Sequence, residues 1–183
     1  MKNSIRYEKE ELRKFGFSDQ LLKKLSDLIS LDHYKVHIRA KEALIEEGKA
    51  ILPVMHKLLK SDSSLIRKEA IKVVERIAHP TSIAPVIEAL EDRESDIRWI
   101  AAETLIRIGR KSIKPLLKAL VKNGNSYLLR QGAHHILKKL ITDEDTEELK
   151  ELVKITRHNR QISEIIPVKA EAILNKEVNK DVL

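Results

Sequence analysis

Apolar positions in the middle of this chain recur with helical spacing, and the same arrangement is written four times. In the stretch "IRWIAAETLIRIG", Ile97, Ala101, Leu105 and Ile108 fall at i, i+4, i+8 and i+11, which forms one stripe along a helix. The stretches "VHIRAKEALIEEG" (36–48), "IRKEAIKVVERIA" (66–78) and "LRQGAHHILKKLI" (129–141) follow the same template. Each begins with an aliphatic residue followed by a basic one, His37, Arg67, Arg98 or Arg130. Three positions later stands Ala40, Ala70, Ala101 or Ala133, and seven positions after the basic residue stands Leu44, Val74, Leu105 or Leu137. The copies are offset by 30, 31 and 32 residues. Alanine in the middle of the stripe lets a neighbouring helix approach where leucine would hold it off. Gly48 and Gly109 can adopt the left-handed backbone that ends a helix. Asp96 and Ser64 sit where a first-turn anion or a cap would stabilise the start. A basic residue at one fixed place per copy, Arg67, Arg98 and Arg130, suits an inter-repeat ladder better than a ligand contact.

A second amphipathic helix follows each template: "AILPVMHKLLK", "TSIAPVIEALED", "SIKPLLKALVK" and "TEELKELVK". Pro53, Pro85 and Pro115 stand early in three of them, where a missing N–H is least costly. Each unit is thus a helical hairpin of about 31 residues whose apolar face only a neighbour can cover, so the units are expected to stack. The expected fold is all-α, an α-solenoid of stacked antiparallel hairpins with capping helices at both ends. The expected organisation is a single domain: a capping pair at 1–31, repeats at about 32–61, 62–92, 93–123 and 124–154, and a degenerate repeat or capping helix at 155–183. In the first segment a helix over Ser4–Lys14 breaks at Gly16, and Ser18 caps the next one. In the last segment, Val168, Lys169 and Ala172 echo the template, and the final residues "NKDVL" are expected to fray.

Composition agrees with this pattern. Of 183 residues, 42% are hydrophobic but only 3% aromatic, so the core is Leu, Ile, Val and Ala. Five Gly and five Pro leave few turns of the kind a β-protein needs. With no cysteine there is neither a disulfide framework nor thiolate chemistry, which fits a reducing compartment. No stretch approaches the roughly 20 apolar residues of a membrane span, and the N-terminal residues hold no signal-like apolar run. The expected location is cytoplasmic.

The pattern aliphatic–Arg–x–x–Ala–x–x–x–Leu–x–x–Ile–Gly, followed by a Pro-started amphipathic helix, resembles HEAT-like repeats of the short prokaryotic, phycobilisome-lyase-like type. The resemblance covers about Asp32 to Lys154. The third copy fits best, the first has His37 for Arg, and the fourth lacks the terminal Gly and the early Pro. In such folds the second helices line a concave binding face.

Charge singles out one part of that face. The chain carries a net +7, yet the 45 residues from Ile97 to Ile141 alone carry +9. Lys111, Lys114, Lys118 and Lys122 fall at spacings of 3, 4 and 4, within about 80° of one another on a helix, opposite Ile113, Leu116, Leu117 and Leu120. The resemblance implies a lysine stripe on the binding surface. Such a stripe is either an ordinary solvated face or a contact for an anionic partner, an acidic protein or the phosphates of nucleic acid. The scarcity of aromatics speaks against base stacking, since only Trp99 and Tyr127 lie in the basic stretch.

Trp99, the sole Trp, points away from the buried stripe, with Ile106 on its side. Both are polar in the neighbouring copies (Lys68 and Glu75, Gln131 and Lys138), so Trp99 either packs on a flanking helix or forms a small contact patch. The spacing of Trp99 and Glu103 is similar to the Trp–Asp pair of HEAT-like alkylpurine DNA glycosylases, with Glu for Asp. HEAT-like deoxyhypusine hydroxylases hold iron through His–Glu pairs, and no His-Glu dipeptide occurs here. His33 and His37 share a helix face but lack a third metal ligand, and the adjacent His134 and His135 point apart. No phosphate loop and no nucleophile with its base is evident. The function expected is that of a scaffold or adaptor without catalysis, metal or cofactor. It would bind a protein partner through Lys111, Lys114, Lys118 and Lys122, with Trp99 as a further contact. Nucleic-acid binding by the same surface is the alternative, and glycosylase activity a remote third.

Overall fold

The computed structural model describes residues 10, 12–14, 16–29, 34–157 and 164–180. Among them there is helix and turn but no strand. The helices are α1 (Asp19–Leu28), α2 (Tyr34–Glu46), α3 (Leu52–Leu58), α4 (Ser64–Ile77), α5 (Ile83–Ala89), α6 (Ser95–Ile108), α7 (Ile113–Asn123), α8 (Tyr127–Leu140), α9 (Glu147–Thr156) and α10 (Ile165–Lys180). None of the described helices is long and apolar enough to cross a membrane.

Hydroxyl caps fix where four of these helices begin. Ser18, Ser63, Ser126 and Thr146 each accept a hydrogen bond from the backbone N–H three residues on, which satisfies a donor the helix cannot. At α4 the cap is therefore Ser63, one position before Ser64, which is the first helical residue. Helix α6 has Glu94 at its start without a side-chain cap, while Asp96 lies in its first turn and accepts from Ile97 N–H at 2.9 Å. The second helices α3, α5 and α7 are each entered through a tight 3₁₀ turn, over Gly48–Ile51, Pro80–Ser82 and Arg110–Ser112. Pro53, Pro85 and Pro115 follow within the first helical turn, where their rings meet no hydrogen-bond demand.

The chain divides into two compact units, residues 1–82 and 83–183. In unit 1, α2 packs on α1 and α4, and α3 packs on α4. Its core includes Leu25, Leu28, Leu44, Leu52, Met55, Ile66, Ala70 and Val74. The first template copy departs from the others here. Val36 is 40% exposed, and the neighbouring His37 is buried instead. In unit 2, α6 lies against α5 and α8, α8 also packs on α9, and α5 packs on α7. Ala101 and Ala133, on the first helices α6 and α8, are fully buried along with Ile97, Leu105, Leu129 and Leu137. Every such Leu or Ile side chain contributes about 2 kcal/mol on leaving water.

Helix α10 packs on both α7 and α9. It buries Ile166, Ala170 and Ile173, while Val168 is exposed and Lys169 pairs with Glu151 at 2.7 Å. The expected template echo at Val168, Lys169 and Ala172 is thus out of register with the face that packs. The helix expected over Ser4–Lys14 falls largely outside the described residues, as do His33 and the last three residues of "NKDVL".

Candidate functional site

The lysine stripe of unit 2 is built on and just before α7. Ile113, Leu116, Leu117 and Leu120 are buried, and the helical period then puts Lys114, Lys118 and Lys122 in solvent, with Lys111 exposed in the turn before them. Some other lysines of the unit have carboxylates: Lys150 meets Glu147 at 2.9 Å and Lys176 meets Glu148 at 2.5 Å. The four stripe lysines form no ion pair or hydrogen bond among the described residues. Lys114 and Lys118 line a hollow of about 450 Å³ with Val121 and, from α10, Glu171, Leu174 and Asn175. The second helices of unit 2 therefore do not form an open face by themselves. The C-terminal helix lies on α7 and α9, and Lys114 and Lys118 border it. Gly124, just after α7, admits α10, because an added Cβ would stand 2.8 Å from Pro167 Cγ.

The three template arginines share one geometry. Arg67 Nη1 donates to Ser61 O and Asp62 O, Arg98 Nη1 to Asp92 O and Arg93 O, and Arg130 Nη1 to Gly124 O and Asn125 O. Each guanidinium thus binds the two carbonyls six and five residues upstream, at the joint between one second helix and the next first helix. In the first copy, His37 Nδ1 bonds Leu28 O, and its Nε2 lies 3.5 Å from Glu69 Oε2. Glu69 is buried, with Lys72 at 2.6 Å and Lys41 at 3.1 Å. Burial pushes this carboxyl up, but hydrogen bonds and charge from Lys72 and Lys41 outweigh burial and hold it below its ordinary value.

Trp99 remains 59% exposed although its ring meets that of His135 at 4.9 Å between centroids, tilted by 38°. His135 Nε2 in turn bonds Glu103 Oε1 at 2.8 Å. Trp99 and Glu103 come from α6 and His135 from α8, so the expected flanking-helix contact exists and leaves most of the indole open. Beside it lies a hollow of about 410 Å³ between α6 and α8. Sequence reasoning omitted His135 as a partner. Template alignment holds the signal: Glu103 and His135 both stand five positions after the basic residue of adjacent copies. His134 turns the other way, its Nδ1 bonding Val153 O at 2.9 Å. Among the described residues no group of three His, Cys, Asp or Glu could hold a metal ion. His56 Nε2 and Ser82 Oγ are 2.9 Å apart in unit 1, and burial pushes His56 down. Ser82 and its counterpart Ser112 are both fully buried in the turn that enters a second helix, where Ser112 donates to Leu105 O.

Capped helix pairs of about 31 residues, joined by arginine-bound loops and packed through buried alanines, define a helical repeat protein. The profile of HEAT repeats matches residues 22–106 and 83–163. The chain belongs to the HEAT repeats family. Members are commonly protein-interaction scaffolds and typically non-catalytic. No curated protein and no solved structure matches the chain.

Proposed function

We propose that this chain is a non-catalytic, cytoplasmic scaffold that binds an acidic protein surface through Lys111, Lys114, Lys118 and Lys122. The observation that carries this reading is the state of those lysines. All four are exposed and have no carboxylate partner among the described residues, while Lys150 on α9 and Lys169 and Lys176 on α10 are paired. Four aligned ammonium groups meet a carboxylate-rich surface without desolvating a pre-existing pair, which favours fast association. The hollow between the stripe and α10 gives the partner a side chain's worth of depth beside the charge.

The test compares fluorescently labelled polyglutamate with duplex DNA over a range of salt. Replacing the four lysines by Glu is expected to weaken polyglutamate binding at least tenfold with helicity unchanged. Unaltered affinity removes the assignment. Tighter binding of DNA than of polyglutamate, with a steep log–log salt dependence, replaces the acidic protein by nucleic acid on the same lysines.

A further inference from the structure

The hollow beside Trp99 is one half of a larger arrangement on the side of unit 2 formed by its first helices. Its walls are mostly apolar: the indole of Trp99, Leu90, Ala102 and Leu128. Leu90 reaches the floor because Gly132 has no side chain, and an added Cβ there would stand 3.0 Å from Leu90 Cδ2. Polar groups sit at the edge. Arg98 lines the hollow with one guanidinium nitrogen committed to Asp92 O and Arg93 O. His135 turns its Nε2 to Glu103 and keeps its ring against the indole.

A second hollow, of about 220 Å³, opens across α8, lined by Tyr127, Thr156 and Arg157. Gln131 and His134, about one helical turn apart on α8, line both hollows, so the two adjoin there. Tyr127 is 64% exposed, and so each hollow has an open aromatic ring and an arginine. No Asp or Glu lines either hollow. Glu103, beside His135, is held by it.

We propose that these adjoining hollows bind a peptide segment of a protein partner, with a large apolar side chain in the hollow at Trp99 and an acidic side chain across α8 at Arg157. The occupant follows from charge and shape. Two arginines without a lining carboxylate call for an anion, and the apolar walls of the larger hollow call for a side chain such as Phe, Leu or Trp beside it. A single-stranded nucleic acid would place its bases on Trp99 and Tyr127, but one side of the indole is already taken by His135, and aliphatic walls surround the rest. Gln131, between the hollows, offers an amide to the backbone of a crossing segment. This site does not depend on the lysine stripe, which lies on α7 and the turn before it.

The test selects binders to the full chain from a random peptide library displayed on phage. The enriched peptides are expected to pair a large apolar residue with Asp or Glu a few positions away. A synthetic copy of one such peptide is expected to change the fluorescence of Trp99, the only indole in the chain. In anisotropy titrations with that labelled peptide, Trp99→Ala, Leu128→Glu and Arg157→Glu are each expected to weaken binding at least tenfold, and Lys118→Glu less than twofold. Circular dichroism and thermal melting of each variant establish that it is folded. Arg157→Glu, an exposed turn residue, remains informative if Leu128→Glu fails to fold. The proposal is overturned by a selection without enrichment or by enriched peptides lacking acidic residues. It is equally overturned by unchanged affinity in the Trp99 and Arg157 variants, or by single-stranded oligothymidylate binding more tightly than the peptide.

Discussion

Unit 2 fills the basic template position with arginine throughout, whereas unit 1 has Arg67 on α4 but His37 on α2. In unit 2 the basic position of α8 is Arg130, which is 2% exposed and binds the two carbonyls of the joint before it. In unit 1 the same template position on α2 is His37, whose ring reaches Leu28 O on one side and the buried Glu69 on the other. An arginine keeps its charge at any ordinary pH and spends it on neutral carbonyls. The histidine joint instead belongs to a cluster with a carboxylate and two lysines. One position can therefore be met by local chain geometry alone or by a side-chain network, and the two respond differently to mutation.

The largest effect is expected at Arg130. Replacing it by Ala leaves Gly124 O and Asn125 O without their charged donor in a buried joint, a loss of about 3 kcal/mol. Arg67 makes the same bonds from a half-exposed position, so Arg67→Ala is expected to lose about half as much, because water replaces its donor. Urea denaturation of both variants measures the pair. Equal losses would break the argument that burial of the joint sets its worth.

Glu69 sharpens the contrast from the other side. Glu69→Gln keeps the shape but removes the charge that holds Lys41 and Lys72, with an expected loss of about 2 kcal/mol at neutral pH, softened because both lysines keep some solvent. The sign of its pH dependence follows from the lowered carboxyl. The stabilisation is complete above the ordinary glutamate value of 4.5 and is lost as pH falls through the lower folded value. Wild type and Glu69→Gln are therefore expected to converge in stability only as pH falls through and below that lowered folded value. The Arg130→Ala deficit involves no titrating acceptor and is expected to persist there. Melting temperatures across an acid series read both, and a Glu69 deficit that stays constant with pH would remove the network from the account.

Much of this architecture is legible in the chain because period and size are strict. Ala70, Ala101 and Ala133 are buried in full, and the apolar side of α7 is Ile113, Leu116, Leu117 and Leu120 as its spacing requires. The register of α10 is not legible, since Ile165, Ile166, Val168, Ala170, Ala172, Ile173 and Leu174 offer several possible faces. Only its packing on α7 and α9 selects Ile166, Ala170 and Ile173. Of the candidate contacts, the lysine stripe follows from spacing, whereas the surroundings of Trp99 come from α8 and Tyr127 is no part of its template stripe. The role of Arg130 is visible as a repeated position but not as a bond, because the acceptors are backbone carbonyls, which carry no residue signature.

The smallest effects concern how first helices end. In unit 2, Gly109 follows α6 with φ 87° and ψ −156°, a conformation open to glycine alone, and nothing lies within 4 Å of where its Cβ would be. Gly109→Ala is therefore a purely conformational burden, expected to lose about 1–2 kcal/mol. In unit 1 the corresponding residue after α4 is Ala78, the one described non-glycine residue with positive φ, at φ 46° and ψ 44°. A left-handed alanine is about 1–2 kcal/mol above its relaxed state, and glycine at the same place gives back about 0.5–1 kcal/mol through its freer unfolded chain. Ala78→Gly is thus expected to stabilise the protein by about 0.5 kcal/mol, seen as a small rise in the urea midpoint with an unchanged slope. The two substitutions exchange the same residues in opposite directions, so their effects must have opposite signs if backbone conformation governs these ends. A loss in both would mean that the Ala78 methyl packs usefully, and that unit 1 ends its helix by side-chain contact where unit 2 does so by glycine.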